Sequence, residues 1–152
     1  MEPKKIAIIH RDEPGNTLAN LAQFLGYTTS TMQVGMGTTP QQVASFVDGV
    51  EPNLVLLAEN YISFNDPAVR AYFTQREYEV TLEGVKGIKG GEGIEALVKI
   101  RENHPNLPVF MVSGGPRHKE EAMKKGATGY LILPVGLKQY GTFLEHAFEL
   151  GP

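Results

Sequence analysis

Polar side chains of several kinds follow the apolar runs that the sequence predicts to be strands. The positions directly after four of these runs are His10-Arg11-Asp12-Glu13, Ala58-Glu59-Asn60, Ser113-Gly114 and Leu133-Pro134. In an open sheet of parallel strands, ligands bind at the carboxyl ends of the strands. Imidazole, carboxylate and hydroxyl groups are the usual donors for proton transfer and for metal binding. We therefore predict that the functional site lies at this edge of the sheet.

The histidines show no pattern that is typical of a catalytic or metal site. His10, His104, His118 and His146 are scattered, without the spacing of metal ligands. Only His10 is predicted at the carboxyl edge, where Ser113 is the one hydroxyl that it could activate as a general base, and no nucleophile-elbow sequence accompanies the pair. We predict no catalytic residue, no metal ion and no cofactor, and hence that the protein is not an enzyme.

Length and composition exclude several classes of protein. The chain has 152 residues, of which 41% are hydrophobic and 20% charged, which predicts a single domain over 1–152. The absence of cysteine excludes disulfide scaffolds, thiolate nucleophiles and iron–sulfur clusters. The formal net charge of -3 and the lack of a basic cluster argue against nucleic-acid binding. No apolar run is long enough to span a membrane, so we expect a cytoplasmic protein.

Strand-like and helix-like patterns alternate along the chain. Strands are predicted at 6–9, 27–34, 54–57, 108–112 and 130–133, the second of them near a sheet edge. One helix is predicted after an Asn16 cap, and another after Thr39 with Pro40 in its first turn. Three more are predicted at 93–103, 117–125 and 137–150. Alternation of this kind predicts an α/β fold, with a doubly wound parallel sheet covered by helices on both faces.

One segment, about 60–91, is far longer than an ordinary connection between a strand and a helix. We interpret it as an inserted loop with a short helix and a hairpin, ending in a glycine-rich stretch. Its aromatic residues, among them Tyr72 and Phe73, are explained equally well by packing onto the domain and by a partner-binding face. The sequence leaves both explanations open.

Four stretches of the chain resemble the response-regulator receiver domain. From 122 to 134 the sequence Ala-Met-Lys-Lys-Gly-Ala-Thr-Gly-Tyr-Leu-Ile-Leu-Pro resembles the receiver ending of a helix, a Gly-Ala, an aromatic strand and a Lys-Pro. Residues 53–58 resemble the strand that ends in the phospho-accepting aspartate. Residues 93–101 are similar to the third helix, and residues 4–14 to the first strand and its acidic turn. The resemblance implies a flavodoxin-like (CheY-like) fold with five parallel strands in the order 2-1-3-4-5 and an insertion between strand 3 and helix 3.

The departures from the receiver pattern fall on the phosphorylation pocket. The phospho-acceptor position matches Ala58, whose methyl group cannot act as a nucleophile. The lysine position matches Leu133. The acidic pair matches His10 and Arg11 or, in a second alignment, Arg11 and Asp12, so that a cation stands where a divalent ion would bind. The chain therefore resembles a degenerate pseudo-receiver, in which the hydroxyl position, Ser113, and the aromatic position, Tyr130, are retained.

Three carboxylates keep a different interpretation open. Glu59 lies beside Ala58 and takes the acceptor position if the alignment slips by one residue, and Asp12 and Glu13 are the other acidic groups at this edge. We favour solvated loop side chains for all three. An intermediate hypothesis is that Glu59 pairs with Arg11 and fills the space of metal and phosphate. For Ser113 we favour a turn residue that bonds to the local backbone.

The resemblance also implies a signalling surface. In receivers this surface is formed by the fourth helix, the last strand and the last helix. The candidate switch and partner residues of this chain are Tyr130, Arg117, Lys124, Tyr72 and Phe73. The implied partners are proteins, such as a kinase, another regulator or a second copy of the chain.

The function that we predict is a phosphorylation-independent, receiver-like signalling module that acts through protein–protein interaction, in a two-component or related pathway. Two alternatives stay open. One is a sensor of a small molecule or nucleotide bound at the carboxyl edge of the sheet. The other is an atypical phospho-acceptor that uses Glu59, Asp12 or Glu13.

Overall fold

The computed structural model describes residues 3–35, 37–61 and 91–149. Strands and helices alternate through these residues, as the periodicity predicts. Their bounds are β1 Lys5–His10, α1 Asp12–Phe24, β2 Thr28–Gln33, α2 Pro40–Val50, β3 Leu54–Ala58, α3 Glu92–Asn103, β4 Val109–Ser113, α4 Lys119–Lys124, β5 Gly129–Ile132 and α5 Leu137–Glu149. The inserted segment falls between β3 and α3, and the elements predicted inside it lie outside the described residues.

The five strands form one parallel sheet in the order β2-β1-β3-β4-β5. This is the predicted order and the topology of the flavodoxin-like, CheY-like fold. The reversal of strand order occurs between β1 and β3, because β2 pairs with β1 on one side while β4 and β5 extend the sheet on the other. The carboxyl ends of β1 and β3 therefore lie side by side at the position where such sheets bind ligands.

Two hydrophobic cores cover the two faces of the sheet. Side chains of α2 and α3, such as Val47 and Ile100, pack with Ala7, Val55 and Met111 on one face. On the other face, side chains of α1 and α5 pack against side chains of β1, β3, β4 and β5. The buried members of this core are Ile6, Ile8, Leu18, Ala19, Ala22, Leu54, Leu56, Phe110, Val112, Leu131, Tyr140, Leu144 and Ala147. Because β1, β3 and β4 are covered on both faces, their sequences read as continuous apolar runs rather than as alternating ones.

The second helix begins as the sequence predicts, whereas the first does not. The Thr39 side chain accepts a hydrogen bond from the Gln42 backbone N–H, and Gln42 accepts one from the Thr39 N–H, which makes a capping box. The prediction that Asn16 caps the first helix is wrong. That helix begins five residues earlier than an Asn16 cap would place it, at Asp12, and its N-cap Arg11 makes no capping hydrogen bond through its side chain.

Candidate functional site

The carboxyl ends of β1, β3, β4 and β5 lie along one edge of the sheet. The predicted pocket residues whose side chains are described lie on these strand ends or within three residues after them: His10, Arg11, Glu13, Ala58, Glu59, Ser113 and Leu133. The sequence therefore locates this edge correctly, but the partners of the individual side chains differ in several cases from the predicted ones.

His10 is buried at the end of β1, with 5% of its surface exposed. Its Nδ1 accepts a hydrogen bond of 2.8 Å from the backbone N–H of Arg11, so the ring proton of the neutral imidazole is on Nε2. Burial, and secondarily the Arg11 cation, lower the pKa of His10 from 6.5 to about 4. His10 is therefore uncharged near neutral pH and presents an N–H donor.

Arg11 stands between the end of β1 and the start of α1. Its Nε atom is buried and has no hydrogen-bond partner among the described residues. The hypothesis that Arg11 pairs with Glu59 is wrong, because no ion pair joins these two side chains in the part of the chain that the structure describes. The other two acidic candidates follow in α1, where Asp12 is the first residue and Glu13 is exposed to solvent.

Glu59 is fully buried, and the prediction of a solvated loop carboxylate is wrong for this residue. One carboxylate oxygen accepts a hydrogen bond from the Tyr130 hydroxyl, and the other accepts one of 3.4 Å from the Asn60 side-chain amide. The backbone of Glu59 is also engaged, because its N–H donates to the carbonyl of Val112 on β4. Glu59 thus joins the end of β3 to residues on β4 and β5.

Tyr130 completes this arrangement from the edge strand β5. Its hydroxyl lies 3.3 Å from the Gly115 carbonyl oxygen as well as against Glu59. Burial and the hydrogen bond to Glu59 raise the pKa of Tyr130, while a hydrogen bond with Ser113 opposes the increase. The predicted local role of Ser113 is confirmed, since its Oγ accepts a hydrogen bond of 3.3 Å from the Gly115 N–H.

Ala58 and Leu133 are the residues that the sequence predicts at the phospho-acceptor and lysine positions of a receiver. Ala58 is the last residue of β3 and is fully buried. Leu133 follows β5 directly, donates its backbone N–H to the Ser113 carbonyl at 2.8 Å and packs against the α1–α5 core. Both residues lie at the carboxyl edge of the sheet, and neither supplies a charge there.

The two ends of the inserted segment are fastened together beside Glu59. The Asn60 side-chain carbonyl accepts a hydrogen bond of 2.7 Å from the Gly91 N–H. The Tyr61 N–H donates to the Glu92 carboxylate at 3.1 Å. We call these two hydrogen bonds the clasp. The sequence missed Asn60 and Glu92 as partners, because 31 positions separate the residues that each bond joins.

A cavity of about 420 Å³ lies at the same edge, and we call it the edge cavity. It is bounded by the first turns of α1, the end of β4 and the segment after β5. Its lining residues are His10, Arg11, Pro14, Thr17, Leu18, Leu21, Asn60, Val112, Ser113, Gly114, Leu133, Pro134 and Val135. A smaller cavity of about 240 Å³ on the β2 side of α1 shares His10 and Arg11. The sequence predicts a small-molecule site at this edge only as an alternative, and it does not predict that α1 contributes to the lining.

The candidate partner surface is only partly described. Arg117 and Lys124 are exposed near and on α4. Two apolar side chains beside them are also exposed, Met123 by 42% and Ile132 by 45%, and the sequence pattern does not single them out. Tyr72 and Phe73 lie outside the described residues.

The described residues form neither a metal-ion cluster nor a membrane-spanning helix. No group of three or more histidine, aspartate or glutamate side chains is placed to hold a metal ion within 3–35, 37–61 and 91–149. Over the same ranges, no helix has the length and apolar character that crossing a membrane requires.

Comparison with known proteins gives matches to solved structures alone. No family profile matches the chain, and no curated protein matches it. The receiver domain of NtrX from Brucella abortus is similar over 95% of this chain and 98% of its own, with a TM-score of 0.65 and 19% identity. The Vibrio cholerae chemotaxis protein CheY4 is similar over 96% of this chain and 99% of its own, with a TM-score of 0.66 and 14% identity.

A third similar structure is a CheY-like response regulator receiver domain protein from Methanospirillum hungatei. It matches 97% of this chain and 95% of its own, with a TM-score of 0.66 and 18% identity. All three similarities extend over nearly the whole of both chains, so the molecule has the receiver fold. At these identities, the similarity concerns the fold rather than the individual residues of the pocket.

Proposed function

We propose that the protein is a receiver-like signalling module that works without aspartyl phosphate and acts by binding another protein. The observation that carries this proposal is the pair formed by Glu59 and Tyr130 beside Ala58. At the edge where a receiver would present a carboxylate to a phosphodonor, the carboxylate next to Ala58, that of Glu59, is buried and already bonded. We further propose that the protein is cytoplasmic and is not an enzyme.

The chemistry of the pocket supports independence from phosphate. Covalent phosphorylation needs an accessible carboxylate nucleophile and a cation to neutralise the phosphoryl group. Ala58 has no nucleophilic atom, and Leu133 supplies no cation. Glu59 has both oxygens in hydrogen bonds and no exposed surface, so attack on a phosphodonor would require breaking those bonds first.

The contacts of Tyr130 support a fixed surface. A receiver switches when a ligand binds one of two conformations more tightly than the other. Here the Tyr130 hydroxyl is held from inside the molecule by Glu59 and lies near the Gly115 carbonyl. The arrangement of β5 and of the turn before α4 is thereby specified by residues of the chain itself, so that it does not depend on a phosphoryl group.

Phosphorylation is tested by incubating the protein with acetyl phosphate and Mg²⁺ and then measuring its intact mass. We expect no gain of a phosphoryl group, while a receiver domain with an intact acceptor aspartate gains one under the same conditions. A metal-dependent gain in the wild type that disappears in Glu59→Gln would contradict the proposal and establish Glu59 as an acceptor.

Partner binding is tested by affinity capture from the native cell, with Tyr130→Phe as a matched variant that removes only the hydroxyl. The buried Glu59 then loses a hydrogen-bond donor, for which we expect a destabilisation of about 1–3 kcal/mol and weaker capture of the specific partner. Tyr27→Phe is the control, because the Tyr27 ring stacks on Phe148 and its hydroxyl has no hydrogen bond among the described residues. Capture that is equal for Tyr130→Phe and the wild type would show that the Glu59–Tyr130 pair does not set the binding surface.

A further inference from the structure

The polar side chains that line the edge cavity are those of Arg11, His10 and Ser113 near the strand ends, together with Thr17 on α1 and Asn60. Arg11 brings a guanidinium group whose Nε has no partner among the described residues. His10 offers only an N–H, because its Nδ1 already accepts from the Arg11 backbone. Ser113 accepts a hydrogen bond from the Gly115 N–H and makes another with Tyr130, so its hydroxyl is already engaged within the protein. Among the side chains that the structure describes, no carboxylate lines the edge cavity.

The remaining wall of the edge cavity is apolar. It is formed by side chains of α1, of β4 and of the segment after β5, namely Pro14, Leu18, Leu21, Val112, Leu133 and Val135. Small-molecule sites usually have volumes of about 300–1,000 Å³ and are mostly apolar, with a few polar groups that orient the ligand. The volume of about 420 Å³ lies in the lower part of that range.

From these two observations we infer that the edge cavity is a binding site for a small monocarboxylate with an aliphatic or aromatic body. The carboxylate is placed at the strand ends, where the Arg11 guanidinium and the His10 N–H meet it. The apolar body lies between α1 and the segment after β5, against Leu18, Leu21 and Leu133.

A single carboxylate matches this cavity better than a phosphate group does. Arginine binds a carboxylate through two parallel hydrogen bonds, and such charge-assisted bonds are stronger than neutral ones. Among the described lining residues, Arg11 carries the one formal positive charge, which balances one negative charge but not the nearly two of a phosphate monoester. The apolar wall would in addition leave the outer oxygens of a phosphate without partners.

The inferred site goes beyond the proposed function, since binding of a small molecule is measured separately from capture of a protein partner. The experiment records amide chemical shifts of the full-length protein during titration with phenylacetate. Two comparison titrations use 2-phenylethanol, which has the same body without the charge, and inorganic phosphate, which has charge without the body. We expect saturable shifts at the amides of Ser113 and Gly114 with phenylacetate, and smaller shifts with either comparison compound.

Three variants locate the site. Arg11→Gln is expected to weaken phenylacetate binding by about tenfold or more, because the charge-assisted hydrogen bonds are lost. Leu21→Glu places a negative charge in the apolar wall and is expected to abolish the shifts, while the exposed Arg117→Gln, which is outside the cavity, leaves them unchanged. If phenylethanol or phosphate binds as tightly as phenylacetate, or if both cavity variants bind it like the wild type, the inference is overturned.

Discussion

His10 and Glu59 are two buried ionisable side chains that lie at the ends of neighbouring strands and are held by different kinds of partner. A backbone N–H bonds to the His10 ring on one side, and the adjacent Arg11 is a cation, so both contacts favour the neutral imidazole. Glu59 instead receives a tyrosine hydroxyl and an amide N–H, which are donors that suit a carboxylate oxygen. The protonation of His10 is therefore coupled directly to the free energy of unfolding.

The stability of the protein should fall as the pH is lowered through the titration range of His10. The pKa of His10 is lowered from 6.5 to about 4 on folding, so the unfolded chain binds a proton over this interval and the folded chain does not. The stabilisation is complete above pH 6.5 and is lost as the pH approaches 4, amounting to about 3 kcal/mol.

Urea unfolding followed by circular dichroism between pH 7 and pH 4 measures this loss. His10→Asn keeps an acceptor for the Arg11 N–H but does not titrate in this range, so its stability should fall by less than that of the wild type. A difference in unfolding free energy between the two proteins that stays constant with pH would show that His10 is not the titrating group.

At the scale of elements, the start of α3 lies unusually close to the end of β3. The Gly93 N–H donates to the Glu59 carbonyl at 2.9 Å. A Cβ atom built on Gly93 would lie 1.9 Å from the Ala58 carbonyl oxygen, which is shorter than any non-bonded contact allows. Glycine at this position is therefore required for the packing of α3 against the strand that ends in Ala58 and Glu59.

Gly93→Ala should destabilise the protein by about 2 kcal/mol or more, because the added methyl group meets backbone atoms that cannot move independently. Gly49→Ala is the matched control, since Gly49 is also in a helix, α2, and a methyl group added there would have no neighbouring atom within 4 Å. This control should stabilise the protein by about 0.5–1 kcal/mol. Thermal and urea unfolding measure both effects, and equal stabilities would contradict the close approach.

At the scale of the whole molecule, the clasp joins the two ends of the inserted segment. The described chain stops at Tyr61 after β3 and resumes at Gly91 before α3, and the bonds from Asn60 to Gly91 and from Tyr61 to Glu92 hold these points together. Residues on either side of the segment join its two ends. The five strands and their helices can therefore assemble whether or not the segment is present.

Replacing residues 64–88 by a short Gly-Ser linker should therefore leave the fold intact. The entropy of closing a loop changes by only about 0.6 kcal/mol for each doubling of its length, so we expect an unfolding free energy within about 1 kcal/mol of the wild type. Circular dichroism and urea unfolding check this result. A shortened chain that fails to fold would show that the segment contributes to a core.

The strands and their order could be predicted from the sequence, whereas the environment of Glu59 could not. Each central strand is buried on both faces and shows this locally as an uninterrupted apolar run, as in residues 54–57. The burial of Glu59 depends on Tyr130, which is 71 positions away and reaches it only because β5 and β3 lie in the same sheet. A carboxylate that directly follows a strand can be buried or solvated, and the neighbouring residues in the sequence do not distinguish the two environments.

The start of α1 was also beyond local prediction. Asn16 is a favoured capping residue, but the helix extends back to Asp12 because Pro14 fits within a first turn, where its missing N–H needs no partner inside the helix. The N-cap is Arg11, a residue type with no capping preference. Arg11 also lines the edge cavity, and its Nε has no hydrogen-bond partner among the described residues.

Arg101 fastens the opposite, amino-terminal edge of the sheet. From α3 its guanidinium donates to the carbonyls of Gly126 at 2.8 Å, His104 at 2.9 Å and Leu107 at 2.5 Å, all of which precede β4 or β5. Arg101 thus stabilises one edge of the sheet, and the other edge carries the cavity and the Glu59–Tyr130 pair. Because different residues hold the two edges, mutations at the carboxyl edge can change what the protein binds without altering the contacts of the amino-terminal edge. New binding specificities can therefore evolve on the same fold.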